Sequence, residues 1–249
     1  MVTESQANAP APRELTIVSL FPRDMNIYGD SGNVLALERR ARAHGFEPRV
    51  VEVNRAADFP EAPDLIIGGG GQDSGQDRVV AELAELGPRL RELADGGTPM
   101  LLICGLYQLF GHRFVTNTGR ELPGIGVLDV ETRGTEERLI GNVVLDSEEF
   151  GEVIGYENHS GYTTLGPDAT PLGTVTLGSG NDATSGAEGA RRDAVIGSYL
   201  HGSLLPKNPA ISDFLIGRAA ERRYGSFVPA AIDDTTAERA RASAKRRPR

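Results

Sequence analysis

The sequence predicts an α/β fold, with a mostly parallel sheet covered by helices on both faces. Three observations lead there. Short apolar runs rich in β-branched residues alternate with longer segments whose apolar residues recur every three or four positions. Glycine, 31 of 249 residues, is above the usual ~7% and is clustered at the ends of those runs. Hydrophobic residues make up 39% and charged residues 24%, which is enough apolar surface for a packed core.

The elements follow in order. Residues 1–13 read as a disordered lead-in, without the basic and apolar regions of a secretory signal. Leu15–Leu20 is a first strand, and Phe21–Asp30 a polar loop containing Pro22 and Gly29. Ser31 reads as an N-cap for a helix carrying Val34, Leu35, Leu37 and Ala41 and stopping at Gly45. Pro48–Val53 and Asp64–Ile67 are strands, the second ending in Gly68–Gly71. Asp77–Ala94 is a helix on the spacing of Val79, Val80, Leu83, Leu86, Leu90 and Leu93. Pro99–Ile103 is a fourth strand that runs into Cys104, and Gly105–Phe110 turns at once into a helix.

After Gly111 the texture changes. Gly126–Glu131, Gly141–Leu145, Val153–Glu157, Gly173–Leu177 and Val195–Leu200 read as hairpins and returning strands between glycine turns. A last helix spans about Pro209–Tyr224, and residues 227–249 form a polar, finally basic tail, read as a solvated or partner-docking helix. Residues 14–226 are taken as one domain.

Acidic side chains outnumber basic ones 35 to 26, a formal charge of −9, which argues against a dedicated nucleic-acid binder. No apolar run approaches the ~20 residues of a membrane helix. The single cysteine allows no internal disulfide and suits a reducing compartment, so the expected location is the cytoplasm.

That cysteine, Cys104, sits at a strand-to-helix junction, Leu101-Leu-Ile-Cys-Gly-Leu-Tyr-Gln108. A side chain there is forced into a tight turn at the carboxyl end of the sheet, facing the N–H groups of the next helix, which favours the reactive thiolate. The bland alternative is a small buried hydrophobe. The Gly68–Gly71 loop allows close backbone approach to a substrate, and no lysine follows it as a Walker loop requires. Beside the Cys104 strand it is placed to donate N–H groups to an oxyanion, or it is simply a tight turn.

A cysteine nucleophile wants a histidine base. Of four histidines, His44 and His112 read as solvated helix-end residues. His159 lies in a polar loop, Glu157-Asn-His-Ser-Gly-Tyr162, as a substrate-pocket or loop-ordering residue. His201 directly follows an apolar strand and precedes Gly202, so it is the favoured base. Arg133 and Arg138 lie in a charged turn, Thr132-Arg-Gly-Thr-Glu-Glu-Arg-Leu139, and composition does not choose between them.

The glycine loop, Ile103-Cys-Gly-Leu-Tyr-Gln-Leu-Phe-Gly111 and Tyr199-Leu-His-Gly202 together resemble class I glutamine amidotransferase domains, in the branch shared with cobyric acid synthase. Asn26-Ile-Tyr-Gly-Asp-Ser-Gly-Asn33, Tyr156-Glu-Asn-His159 and Leu200–Asn208 further resemble the glutaminase subunits of lipid II-amidating enzymes. The resemblance implies a three-layer, flavodoxin-like α/β/α fold. It implies hydrolysis of L-glutamine, with Cys104 as nucleophile, His201 as base and Arg138 as the glutamine-binding arginine. Gly70 and Gly105 then become the expected oxyanion donors. The ammonia would pass to a Mur-ligase-like subunit that amidates the D-glutamate α-carboxyl of the lipid II stem peptide. No cofactor is expected in this chain, and ATP and Mg are expected on that partner.

Two departures stand out. Leu102 and Leu106 occupy the glycine positions of the usual Gly-x-Cys-x-Gly elbow. Ser203 stands where most such domains carry a glutamate two residues after the histidine, so the base is expected to lack its orienting carboxylate unless a partner supplies it. Three rival readings remain. They are a glutaminase serving another acceptor, such as a cobyrinate-like carboxylate, a silent scaffold of the same fold, and a cysteine hydrolase of another substrate.

Overall fold

The structure, a computed structural model, describes residues 13–71, 73–201 and 203–246, with the backbone alone for 73–77. Residues 1–12 of the lead-in expected at 1–13, Gly202 and the last residues, 247–249, lie outside the described residues, and Arg13 belongs to the first strand, where it pairs with Phe46. In chain order the elements begin β1 (Arg13–Leu20), α1 (Ser31–Ala43), β2 (Phe46–Val53), β3 (Leu65–Gly68), α2 (Asp73–Asp95), β4 (Met100–Ile103) and α3 (Gly105–Leu109). The second half holds β5 (Arg113–Val115), β6 (Glu121–Pro123), β7 (Val130–Ser147), β8 (Gly151–Leu165) and β9 (Gly173–Leu177). It closes with β10 (Ala187–Glu188), β11 (Ala190–Arg192), β12 (Val195–Ser198), α4 (Pro209–Tyr224) and α5 (Thr235–Lys245).

The first sheet has the order β11-β12-β4-β3-β1-β2, parallel throughout except for β11. Its central strands are apolar on both faces, as burial between two helix layers demands; Ile66, Leu101 and Ile196 have no exposed surface. From β1 the chain steps outward to β2, and from β3 it steps the opposite way to β4. Right-handed crossovers then put α1 and α2 on opposite faces. In keeping, α1 packs with α4, and α2 with α3. The two crossovers diverge between β1 and β3, which opens a crevice at the carboxyl ends of those strands, the usual ligand position in such sheets.

The texture change after Gly111 is a second sheet of six strands, β10-β9-β7-β5-β6 with β8 on the other side of β7. The long β7–β8 ribbon corrects two expectations. The charged stretch 132–139 is not a turn but part of β7, interrupted by an irregularity between Gly134 and Leu139. His159 is not in a loop but within β8, opposite Leu139. The expected strands at 141–145 and 153–157 pair with each other in this ribbon, and backbone pairing extends it through 130–134 and 161–165, where the side chains show no hydrophobic alternation.

Two smaller corrections concern α1. Ser31 is its first residue rather than its cap, and Ser31 N–H donates to Asn26 Oδ1 at 2.8 Å. His44 is not solvated: its side chain is 1% exposed, Nε2 lies 2.7 Å from Asp213 Oδ1, and Nδ1 accepts from Ala230 N–H at 3.1 Å. The polar tail therefore folds back over the end of α1, and α5 docks through Arg241, which donates to the Lys207 and Glu152 carbonyls.

Candidate active site

Four loops meet at the crevice, one from the carboxyl end of each of β1, β3, β4 and β12. The β4 loop brings Cys104. Its φ of 49° and ψ of −101° place a non-glycine residue in strained backbone, worth on the order of 1–3 kcal/mol. The turn is held by Cys104 N–H donating to Ser198 O at 2.8 Å and Gln108 N–H donating to Cys104 O at 3.0 Å. Glycines flank the elbow on the neighbouring strands: Gly68 on β3 and Gly197 on β12 both pair in register with Leu102. A Cβ on Gly68 would lie 2.2 Å from Leu106, and one on Gly197 would lie 2.1 Å from the Tyr107 ring. Close packing of α3 on the sheet is thus kept with leucines in the elbow itself.

The β12 loop brings His201, which is fully buried. Its N–H donates to Tyr156 O at 2.8 Å, fixing the strand end. Behind it, the buried Glu188 carboxyl accepts Tyr199 N–H at 2.7 Å and the Ser198 hydroxyl at 3.2 Å. Burial pushes that carboxyl up to about 8.

The third group comes from the β1 loop. Asp30 Oδ1 lies 3.1 Å from His201 Nδ1, and both side chains are buried. The expectation of a base without its carboxylate is overturned: Asp30 replaces in space what Ser203 lacks in sequence. Ser203 instead donates to Gly29 O at 2.8 Å, which pins the same loop. The other imidazole nitrogen, Nε2, is engaged by no nitrogen or oxygen of the described residues and is left to Cys104. Burial works against a charged His201, but Cys104 and Asp30 outweigh it and push its pKa up to about 10. The arrangement is that of an imidazolium held between a sulfur and a carboxylate.

The β3 loop brings Gly70. A Cβ there would lie 2.6 Å from His201 Cε1 and 2.9 Å from Cys104 Cβ, so both side chains converge on its Cα. Its N–H, expected to face an oxyanion, donates to Asp30 Oδ2 at 2.7 Å. Asp30 therefore ties the glycine loop to the histidine, and in this arrangement the Gly70 amide is directed at a carboxylate of the protein. Gly105, the other expected donor, opens α3 directly after Cys104.

Arg138 reaches the same mouth from β7. Its Nε donates to Asn158 Oδ1 at 2.7 Å, and a terminal nitrogen donates to Tyr28 Oη at 3.3 Å. Tyr28 in turn sets its ring edge-on to His201, centroids 5.1 Å apart. Arg133 instead lines a surface pocket with His112, Asp129 and Tyr162. His159 lies flat on Tyr199 at 3.6 Å, with Nδ1 2.8 Å from Gly161 O. Burial lowers its pKa to about 4, so it is neutral near pH 7. Among the described residues no group of His, Cys, Asp and Glu has metal-site geometry, and no helix is long and apolar enough to cross a membrane.

Sequence reasoning singled out Cys104, His201, Gly70, Gly105 and Arg138, but not Asp30 or Tyr28. Both lie in the quoted Asn26–Asn33 stretch, whose density of small and polar residues before a helix was the signal.

Residues 16–209 match the CobB/CobQ-like glutamine amidotransferase domain. The chain is 40% identical over 223 residues to the lipid II isoglutaminyl synthase (glutamine-hydrolyzing) subunit GatD of Staphylococcus aureus, covering 89% of this chain and 90% of that one. It is 35% identical to the subunit of the same name from Streptococcus pneumoniae, over 87% and 85% of the two chains. Cobyric acid synthase of Listeria monocytogenes is 30% identical over 60% of this chain and 30% of its own length. Among solved structures, a glutamine amidotransferase superposes with a TM-score of 0.58 at 16% identity, covering 82% of this chain and 98% of its own, a likeness of fold.

Proposed function

The chain belongs to the CobB/CobQ-like glutamine amidotransferase family, and from that premise we propose that it is a glutaminase subunit whose ammonia serves an ATP-dependent, Mur-ligase-like partner. The partner uses that ammonia to amidate the D-glutamate α-carboxyl of lipid II. The observation that carries the reading is the Cys104–His201–Asp30 cluster, with Arg138 at its mouth.

In this reading the Arg138 guanidinium pairs with the α-carboxylate of glutamine, for which a planar fork is suited. The Cys104 thiolate attacks the side-chain amide carbonyl. The oxyanion is met by backbone N–H groups at Gly105 and Gly70, the latter after its bond to Asp30 is exchanged. One such donor is worth ~3 kcal/mol in the transition state. His201 gives its proton to the amide nitrogen as the C–N bond breaks and ammonia leaves. The neutral imidazole then takes a proton from water, whose oxygen attacks the thioester, and glutamate departs as the thiolate re-forms. Asp30 keeps the imidazole oriented throughout.

Ammonia in bulk water near neutral pH is mostly ammonium and no longer a nucleophile, so the reading requires direct transfer to an activated acyl group. Activation requires ATP, which the proposal assigns, with its Mg, to the partner. The lipid II acceptor rests on the two relatives that match along most of their length.

The test is to co-purify the chain with a Mur-ligase-like subunit and to assay amidation of lipid II with glutamine or with ammonium. Cys104→Ala is expected to abolish the glutamine-dependent reaction and to leave the ammonium-dependent one within twofold. Equal loss of both would refute the assignment.

A further inference from the structure

Tyr28 has an unusual position. Its φ of 57° and ψ of 23° are left-handed, a conformation a bulky L-residue rarely adopts without cause. The residue is 44% exposed, so burial does not explain the strain. What the conformation achieves is contact with two parts of the site at once. The ring stands edge-on to His201, at 74° between planes, and the hydroxyl accepts a hydrogen bond from Arg138. Tyr28 therefore bridges the His201 imidazole and the Arg138 guanidinium. His201, against which the ring stands, has no exposed surface, and Cys104 is only 7% exposed.

We propose that Tyr28 is the positioning residue that fits the substrate side chain by length, its ring flanking the methylenes between the amide at Cys104 and the α-carboxylate at Arg138. The inference deepens the glutaminase reading and rests on it. Glutamine has four C–C bonds between amide carbon and carboxylate carbon, about 5 Å when extended. A residue that meets His201 with its ring and Arg138 with its hydroxyl runs beside a chain of that length, and in the proposal an amide one methylene shorter does not reach both groups. The hydroxyl has a second role. With Asn158 it holds the Arg138 guanidinium in place before substrate arrives, which lowers the entropy lost on binding.

The test uses the full chain and alkylation of Cys104, which needs no partner. A diazoketone analogue of glutamine carries the α-carboxylate and gives saturating inactivation, with a half-saturation constant and a limiting rate; its analogue one methylene shorter reports length selection. Iodoacetamide carries no α-carboxylate and reports only access to the sulfur. Tyr28→Phe keeps the ring and removes the bond to Arg138. It is expected to raise the half-saturation constant for the glutamine analogue 3- to 10-fold, with the limiting rate within twofold and the iodoacetamide rate unchanged. Tyr28→Gly suits the left-handed backbone, so the loop keeps its path. It is expected to raise the iodoacetamide rate at least fivefold and to cut the preference for the longer analogue at least tenfold, within the roughly 10- to 200-fold value of one methylene.

Half-saturation constants and preference within twofold of wild type in both variants would overturn the role of Tyr28. If wild-type Cys104 reacts with iodoacetamide but shows no saturation with either glutamine-like reagent, the glutaminase reading falls, and the length fit with it.

Discussion

Asp30 stands where a helix is normally capped, yet no side-chain bond from it caps α1. One carboxylate oxygen faces His201 Nδ1 and the other accepts the Gly70 N–H. Capping a helix is worth about 1 kcal/mol, and forgoing it is consistent with a residue committed to the site. The charged imidazole it supports has a pKa of about 10, raised from an ordinary 6.5. That contribution to stability is whole below about pH 6.5 and is lost as pH rises toward 10. Asp30→Asn removes one of the charges that raise His201, so the alkaline limb of glutamine hydrolysis should move to lower pH. The rate should fall roughly 10²-fold or more, the scale of a misoriented acid–base group. A pH–rate profile measured on both proteins checks direction and size. An alkaline limb that stays in place would mean that Asp30 only holds the loop.

At the scale of elements, the junction of β4 and α3 decides whether the nucleophile is presented at all. Leu106 occupies the groove left by Gly68, and Tyr107 that left by Gly197, so the small residues the elbow needs lie on the two strands that flank β4. Gly68→Ala would place a methyl 2.2 Å from Leu106 Cδ1 in a fully buried position. Overpacking of this kind costs about 1–3 kcal/mol. At roughly 2–4 °C per kcal/mol for a chain of this size, thermal unfolding should shift down by several degrees. The double variant Gly68→Ala with Leu106→Ala should recover part of that loss, since the two side chains compete for one space. Additive losses in calorimetry would contradict the packing argument. Elsewhere, β1 to β4, α1 and α4 were legible from period and punctuation. Of the β7–β8 ribbon only 141–145 and 153–157 were legible, because backbone pairing, not apolar alternation, holds residues 130–134 against 161–165.

At the scale of the whole molecule, the C-terminal segment is tied to the body by charge. Arg40 on α1 binds Asp213 on α4 and Asp234 just before α5, and His44 shares Asp213. Burial opposes ionisation of Asp213, but its bonds to Arg40 and His44 prevail and hold it below the ordinary 3.8. The stability it contributes is therefore present above about pH 4 and lost as pH falls below it. Arg40→Ala leaves two facing carboxylates without their cation. Both are about a third exposed, so solvent screening limits the cost to roughly 1–2 kcal/mol. Urea unfolding at pH 7 should show that loss, and limited proteolysis should cut more readily between residues 226 and 234. Unfolding curves without change would mean the tail is held by α5 alone, through Arg241 and through Lys245 paired with Glu152.

The parallel sheet, the placing of Cys104 and His201 at strand ends, and the family resemblance were all readable from the chain alone, because each depends on residues adjacent in it. Period, turn chemistry and a strand-to-helix junction are local properties. What orients the histidine and what stands against it emerge only once the chain is folded. Asp30 and Tyr28 lie more than 170 residues from His201, and they meet it only because the chain leaves β1 and β3 in opposite directions and opens the crevice between them.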